Sequence, residues 1–285
     1  MTNKAQDGAV FLAVPTSNPV PLVLDSPHSG TDYPDDFGYA CDHQVLRRGE
    51  DTYIHELYAS APDHGATLMA ANFPRSYIDV NRGLNEIDTS LIEGDWAGEV
   101  SDSEKAAAGI GLIWRINQEN VDIYNRKLSV EEVKHRINSY WQPYHDRLKG
   151  LINDVRQSHG KVVHINCHSM PKVSNESSKE GPGVIRPEFC LGDRHGTTCD
   201  PALVALTKST LEELGYAVSV NEPYAGVELV RAYSDPSDGR HSLQVEIRRD
   251  LYMDEKTFEK SSNYNKLKSD LNILVQKLSA FSAAL

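Results

Sequence analysis

Two stretches of this 285-residue chain are built alike. Leu22–Gly30, LVLDSPHSG, is a short apolar run that stops at Asp25-Ser26-Pro27 and turns the chain at His28-Ser29-Gly30. Lys161–Pro171, KVVHINCHSMP, is a second apolar run, and it ends in His168-Ser169-Met170-Pro171. A buried strand closing in a small-residue turn is a common place for an α/β enzyme to display a functional side chain. One such histidine is as readily a core residue bonded to its neighbour, but two of them point to a shared site. Period-two alternation puts His164, Asn166 and His168 on one face of the second strand and Cys167 on the other. His164 lies deeper in the strand and reads as structural.

The rest of the chain alternates helical and extended patterns. After the turn-rich Pro15–Pro19, strands are expected at 20–25, 66–71, 161–168, 188–191, 216–221, 226–230 and 242–247. Arg75–Arg82 reads as a further extended piece. The spacing of Val45, Leu46, Ile54, Leu57 and Tyr58 predicts a helix over 43–61, ended by Asp63-His64-Gly65. Other helices are expected at 130–158, interrupted by Pro143, at 201–214, closed by Gly215, and at 264–281. Residues 83–112 are polar, and a stretch of that length is more often a lid or binding loop than filler. There is no repeat and no dividing linker. The expected architecture is a single three-layer αβα domain over residues 1–285, around a central mixed sheet.

Charge narrows the choice of partner. With 29 basic and 41 acidic residues, the net charge of −12 argues against nucleic acid or an anionic membrane. An acidic protein that binds an acidic small molecule needs locally clustered cations. No signal-peptide pattern or membrane-length apolar run is present, and the four cysteines form no Cys-x-x-Cys pair. A cytoplasmic protein without a disulfide framework is the expectation; oligomeric state is not legible.

Histidines at strand ends suit a metal ion, which wants a third ligand, often a carboxylate, and an open position. Glu50-Asp51 on the first helix is the best candidate pair, although adjacent acids commonly mark a solvated helix face. In Ser242–Arg248, Leu243, Val245 and Ile247 share one face, so Gln244 and Glu246 share the other. An acid on a buried strand needs a partner or a job. One beside a metal site can take a proton from water and deliver it to a leaving amine. Arginine suits bidentate carboxylate binding, and Asn81-Arg82 can serve one ligand together if the chain bends at Gly83.

Taken in order, SPHSG, Glu50-Asp51, FPRSYIDVNR, HINCHSMP and HSLQVEIRRDLYMDE resemble the N-formylglutamate amidohydrolase (deformylase) family of bacterial histidine degradation. The resemblance covers roughly residues 20–255. That family is similar in fold to the zinc carboxypeptidases and to the aspartoacylase group. The resemblance implies hydrolysis of N-formyl-L-glutamate to formate and L-glutamate, with a divalent metal, zinc foremost, held by His28, Asp51 and His168. It implies Glu246 as general base and acid, Arg75 at the developing oxyanion, and Asn81 and Arg82 on a substrate carboxylate. The carboxypeptidase pattern of Glu three residues after the first histidine is absent, since Thr31 stands there, which leaves Glu50 in competition with Asp51. A dicarboxylate substrate calls for a second cation, and Arg231, at the end of the expected strand 226–230, is the candidate. Competing readings are another zinc amidohydrolase of this fold, acting on an N-acyl amino acid, a peptide or a cell-wall fragment, and a non-catalytic carboxylate- or metal-binding protein.

Overall fold

The computed structural model describes residues 2–15, 18–117, 119–176 and 178–285, with residues 2–7 described through their backbone alone. Thr16 and Ser17 of the expected turn lie outside the described residues. The strands of the main sheet are β1 (Thr2–Asp7), β2 (Val10–Pro15), β3 (Leu22–Ser26), β4 (Thr67–Ala71), β5 (Val162–Met170), β6 (Phe189–Gly192), β7 (Val218–Val220) and β8 (Arg240–Arg248). They form one eight-stranded mixed sheet in the order β1-β2-β4-β3-β5-β8-β6-β7. At its centre β4, β3, β5 and β8 run parallel. Consequently β3, β5 and β8 end at the same edge, the edge where α/β folds bind ligands.

Helices cover both faces. On one side α2 (Ile54–Leu57), α5 (Pro201–Glu213) and α7 (Tyr264–Ala284) pack Leu57, Leu203, Leu271 and Leu274 against Leu24, Ile165 and Val245. On the other, α3 (Val130–Arg136) and α4 (Gln142–His159) bury Val133, Tyr144, Leu148 and Ile152 with Val23, Met69 and Val162. The three-layer mixed sheet is the expected one.

Three local expectations are corrected. The helix expected over 43–61 is two short pieces, α1 (His43–Arg47) and α2, separated because Asp51 donates its N–H to the His28 carbonyl (2.9 Å) and Tyr53 turns to φ 68°. Arg75–Arg82 is a run of turns, with Arg82 N–H bonded to Asp79 O (3.1 Å), and this supplies the bend that Asn81-Arg82 required. Residues 226–230 do not form a strand; Glu228–Ala232 is helix α6. The interruption expected at Pro143 is present: Ile137–Trp141 forms a π turn between α3 and α4, and Pro143 falls in the first turn of α4. A widened turn accommodates the carbonyl with which the proline ring would otherwise clash. The β1–β2 hairpin, outside the expected strands, extends the sheet beyond β4.

Candidate active site

Strand alternation builds the site. The register sets Ser242 beside His164, Gln244 beside Asn166 and Glu246 beside His168, all on one face. Asp25 of β3 lies beside Asn166 on that same face. The turn after β3 then brings His28 in. Gly30 is required there, because a Cβ would stand 2.3 Å from the carbonyl carbon of Asn72. His28, Asp51 and His168 are all buried.

Each histidine is held through Nε2. His28 Nε2 lies 2.7 Å from Asp79 Oδ1, a carboxylate that can only accept, so Nε2 carries the proton. His168 Nε2 lies 2.7 Å from Asn166 Oδ1, and Asn166 Nδ2 donates to Asp25 Oδ1 (2.7 Å), which settles the orientation of that amide. Both Nδ1 atoms are therefore lone pairs when the rings are neutral. They face the same oxygen, Asp51 Oδ2, at 3.4 Å for His28 and 3.0 Å for His168. His28 Nδ1 is buried without a hydrogen-bond partner.

Three lone-pair donors converging in a buried place are stable only around a cation. The ligand atoms lie within 4.8 Å of one another. The two carboxylate-to-imidazole separations, 3.4 and 3.0 Å, are close to the edge of about 3.3 Å expected for a tetrahedron with corners about 2.0 Å from its centre. Two imidazole nitrogens and a carboxylate oxygen are a donor set suited to zinc with one position open. The residues present fit a divalent metal ion.

Glu50 points elsewhere. Its carboxylate accepts from Tyr33 Oη (2.6 Å) and Thr52 Oγ1 (3.0 Å) and lines a separate cavity of about 480 Å³ with Ser29 and Arg47. Asp51 is the acid brought to the histidines. Its second oxygen accepts from Arg249 Nη2 (3.1 Å) and Ser169 Oγ (3.1 Å). Burial raises the Asp51 carboxyl, but the bonds and charges of His168 and His28 outweigh it and hold it well below the usual carboxylate range.

Glu246 sits across from His168, 7 % exposed, and accepts from Gln244 Nε2 (2.9 Å). Burial pushes its carboxyl up to about 7, with Asp51 adding to the push while His168, Arg75 and Arg249 oppose it. Asp79 Oδ2 takes Arg75 Nη2 (2.8 Å), Arg75 Nε (3.1 Å) and Trp114 Nε1 (3.3 Å). Asn81 Nδ2 touches His168 Nε2 (3.1 Å), and its Oδ1 accepts from Leu229 N–H (2.9 Å). Arg82 donates to the carbonyls of Ile110 (3.2 Å) and Asn81 (2.9 Å), and its Nη2 stays 3.9 Å from Asp79.

The structure thus brings His28, Asp51, His168, Glu246, Arg75, Asn81 and Arg82 together. It does not bring Arg231: on α6 that side chain is 58 % exposed and paired with Glu228 at 2.7 Å. A helical turn sets residues three apart side by side, which the expected strand would not have done. The sequence reading missed Asp79, Asp25, Asn166 and Arg249 as supports. All four lay inside quoted fragments, and the signal available was a polar or charged residue within or at the end of an apolar stretch.

A mixed αβα sheet with a buried His–Asp–His donor set beside the ends of its parallel strands defines a candidate metal-binding protein. Comparison with known proteins adds the particular family. The N-formylglutamate amidohydrolase family profile matches residues 20–253. The chain is 43% identical to a solved N-formylglutamate amidohydrolase from Ralstonia eutropha JMP134, with a TM-score of 0.93 over 98% of this chain and 99% of that one. It is 28% identical over 240 residues to an N-formylglutamate deformylase of Pseudomonas putida and 27% over 241 to one of Pseudomonas aeruginosa, at 83% of each chain. The chain belongs to the N-formylglutamate amidohydrolase family, and so to the amidohydrolases.

Proposed function

We propose that the chain hydrolyses the formamide of N-formyl-L-glutamate to formate and L-glutamate. The observation that carries this is the placement of a buried Glu246, with its carboxyl near neutrality, beside the converging His28, Asp51 and His168. The relatives named for this activity support the choice of substrate.

His28 Nδ1, His168 Nδ1 and Asp51 Oδ2 would hold a divalent ion, zinc by donor type, which when bound acidifies water and polarises a carbonyl oxygen. Glu246 as carboxylate takes a proton from the attacking water as the new C–O bond forms at the formyl carbon. The same carboxyl then gives that proton to the amide nitrogen as the C–N bond breaks, so the amine leaves neutral. Arg75 faces Glu246 while two of its nitrogens hold Asp79, and its remaining N–H groups stabilise negative charge developing on the formyl oxygen. Arg82, with Asn81 fixing the chain beside His168, takes the α-carboxylate next to the scissile amide.

The test is formate release from N-formyl-L-glutamate by the purified protein, before and after chelation and reloading with zinc. Release that chelation abolishes and zinc restores is the expected result. Absence of formate from the zinc-loaded protein would falsify the reading.

A further inference from the structure

A dicarboxylate needs a second cation, and Arg231 is turned away from the site. The segment flagged in the sequence as a lid or binding loop supplies a replacement. Within residues 83–112, Glu104–Ala107 forms one turn of helix, capped by Ser103. That turn is tied to the floor of the site by backbone. The Lys105 carbonyl accepts from Ile110 N–H (2.9 Å), and the Ile110 carbonyl in turn accepts from Arg82 Nε (3.2 Å). Leu112 carries the connection on, its N–H bonded to Glu86 O (2.7 Å) and its carbonyl to Asp79 N–H (2.8 Å). The contact is close enough to demand glycine at 111, where a Cβ would lie 2.3 Å from Glu86 O and 3.0 Å from Ala106 Cα.

Lys105 is half-buried, and among the described residues its ammonium has no ion pair and no hydrogen bond. The charges that act on it most strongly are Arg82, Arg75 and Lys179, with Glu104 of its own turn opposing them. Nearby acids are already engaged. Asp79 is taken by His28 and Arg75, and Glu86 by Gly83 N–H (2.8 Å) and Ser103 Oγ (2.7 Å). In a chain of net charge −12, a half-buried lysine left among arginines is unfavourable unless an anion joins them. Burial first, then those like charges, push the Lys105 ammonium below the ordinary lysine range, and a bound carboxylate would relieve this.

We propose that Lys105 is the specificity-determining residue that binds the side-chain carboxylate of an N-acylated acidic amino acid, while Arg82 takes its α-carboxylate. The assignment rests on the amidohydrolase reading. It follows from depth: Arg82 lies on the buried turn that holds Asn81 against His168, next to the reacting centre. Lys105 lies further out on the covering segment, as a carboxylate two methylenes further along the substrate requires.

The test compares the zinc-loaded wild type with Lys105→Met and Lys105→Arg on N-formyl-L-glutamate and N-formyl-L-glutamine. Losing a charged hydrogen bond should lower kcat/KM for formylglutamate about 10- to 100-fold, through KM, and shrink the glutamate-over-glutamine ratio by the same factor. Lys105→Arg should restore most of that ratio. Thermal melting reports any folding defect. An unchanged ratio in a folded Lys105→Met variant overturns the proposal, as does an equal loss of kcat on both substrates. Calorimetric binding of L-glutamate and L-glutamine to the same variants reads Lys105 without turnover. If the wild type releases no formate, the deformylase reading fails, and equal loss of glutamate and glutamine binding in Lys105→Met would still separately sink the Lys105 assignment.

Discussion

The two faces of β3, β5 and β8 share one set of backbone ladders and do opposite work. One face presents Leu22, Leu24, Ile165, Leu243, Val245 and Ile247 to the helices α2, α5 and α7. The other presents Asp25, His164, Asn166, His168, Ser242 and Glu246. The apolar face is held by area and volume, which depend little on any single atom. The polar face is held atom by atom: Tyr144 Oη to Asp25 (2.7 Å), His164 Nε2 to Asp25 (2.8 Å), His164 Nδ1 to Ser242 (2.6 Å) and Asn166 to Asp25 (2.7 Å). Removing one partner there leaves a desolvated group unpaired. Period-two alternation therefore separates stability from chemistry within a single strand.

The largest effect is expected on the polar face. Glu246→Gln keeps shape and hydrogen bonding but removes the proposed base, so kcat for formate release should fall about 10²–10⁴-fold with metal content and melting temperature retained. Turnover within about threefold of wild type would take Glu246 out of the reaction. The pH profile sharpens the point. A base must be deprotonated, so kcat/KM should fall as pH drops through the Glu246 pKa. Burial places that pKa at about 7 rather than at the ordinary 4.5, and a cation bound by His28, Asp51 and His168 would draw it down. An acid limb at the ordinary value would mean that burial does not tune this carboxylate.

On the apolar face the loss should appear as stability. Leu243→Ala leaves a cavity in a fully buried cluster, and the cost is about 2–5 kcal/mol in denaturant unfolding. Turnover per folded molecule should stay close to wild type. A large fall in kcat with unchanged stability would show that the faces are mechanically coupled.

A smaller effect is expected one step back from the proposed metal ligands. Asn166→Ala removes the acceptor that keeps the His168 proton on Nε2, so zinc retention in chelator competition should weaken about 10- to 100-fold. Unaltered zinc affinity would mean that the Nε2 proton of His168 does not depend on that acceptor.

The contrast between the faces also explains what the sequence revealed. Alternation in Val162–Met170 and Arg240–Arg248 displayed both faces, so His168 and Glu246 could be read from them, His28 from the turn that ends Leu22–Gly30, and the mixed sheet from the order of elements. Partners distant in the chain could not be read that way. Asp79 is 51 residues from His28 and Asp25 is 139 from His164, and no local pattern encodes those pairings. The break between α1 and α2 was hidden for the same reason: periodicity favours one continuous helix, while the His28 carbonyl, far back in the chain, draws Asp51 out of it. Lys105 was illegible because its significance lies in the acids that fail to meet it.

The smallest effect belongs outside both faces, at Arg231. Its sequence position, after a Pro- and Gly-containing loop and at the end of an apolar run, suits a ligand contact only if the backbone is extended. In α6 the backbone is helical, Glu228 and Arg231 lie on one side, and the guanidinium meets that carboxylate at 2.7 and 2.8 Å while 58 % exposed. An exposed pair at this spacing contributes about 0.3–0.5 kcal/mol, and salt screens it further. Arg231→Ala should therefore leave KM for N-formyl-L-glutamate and the glutamate-over-glutamine ratio within about twofold of wild type, where the same kinetics move strongly for Lys105→Met. A rise in KM of about tenfold for Arg231→Ala, with Lys105→Met silent, would reverse that order and mean that α6 rearranges around the substrate to bring its arginine in.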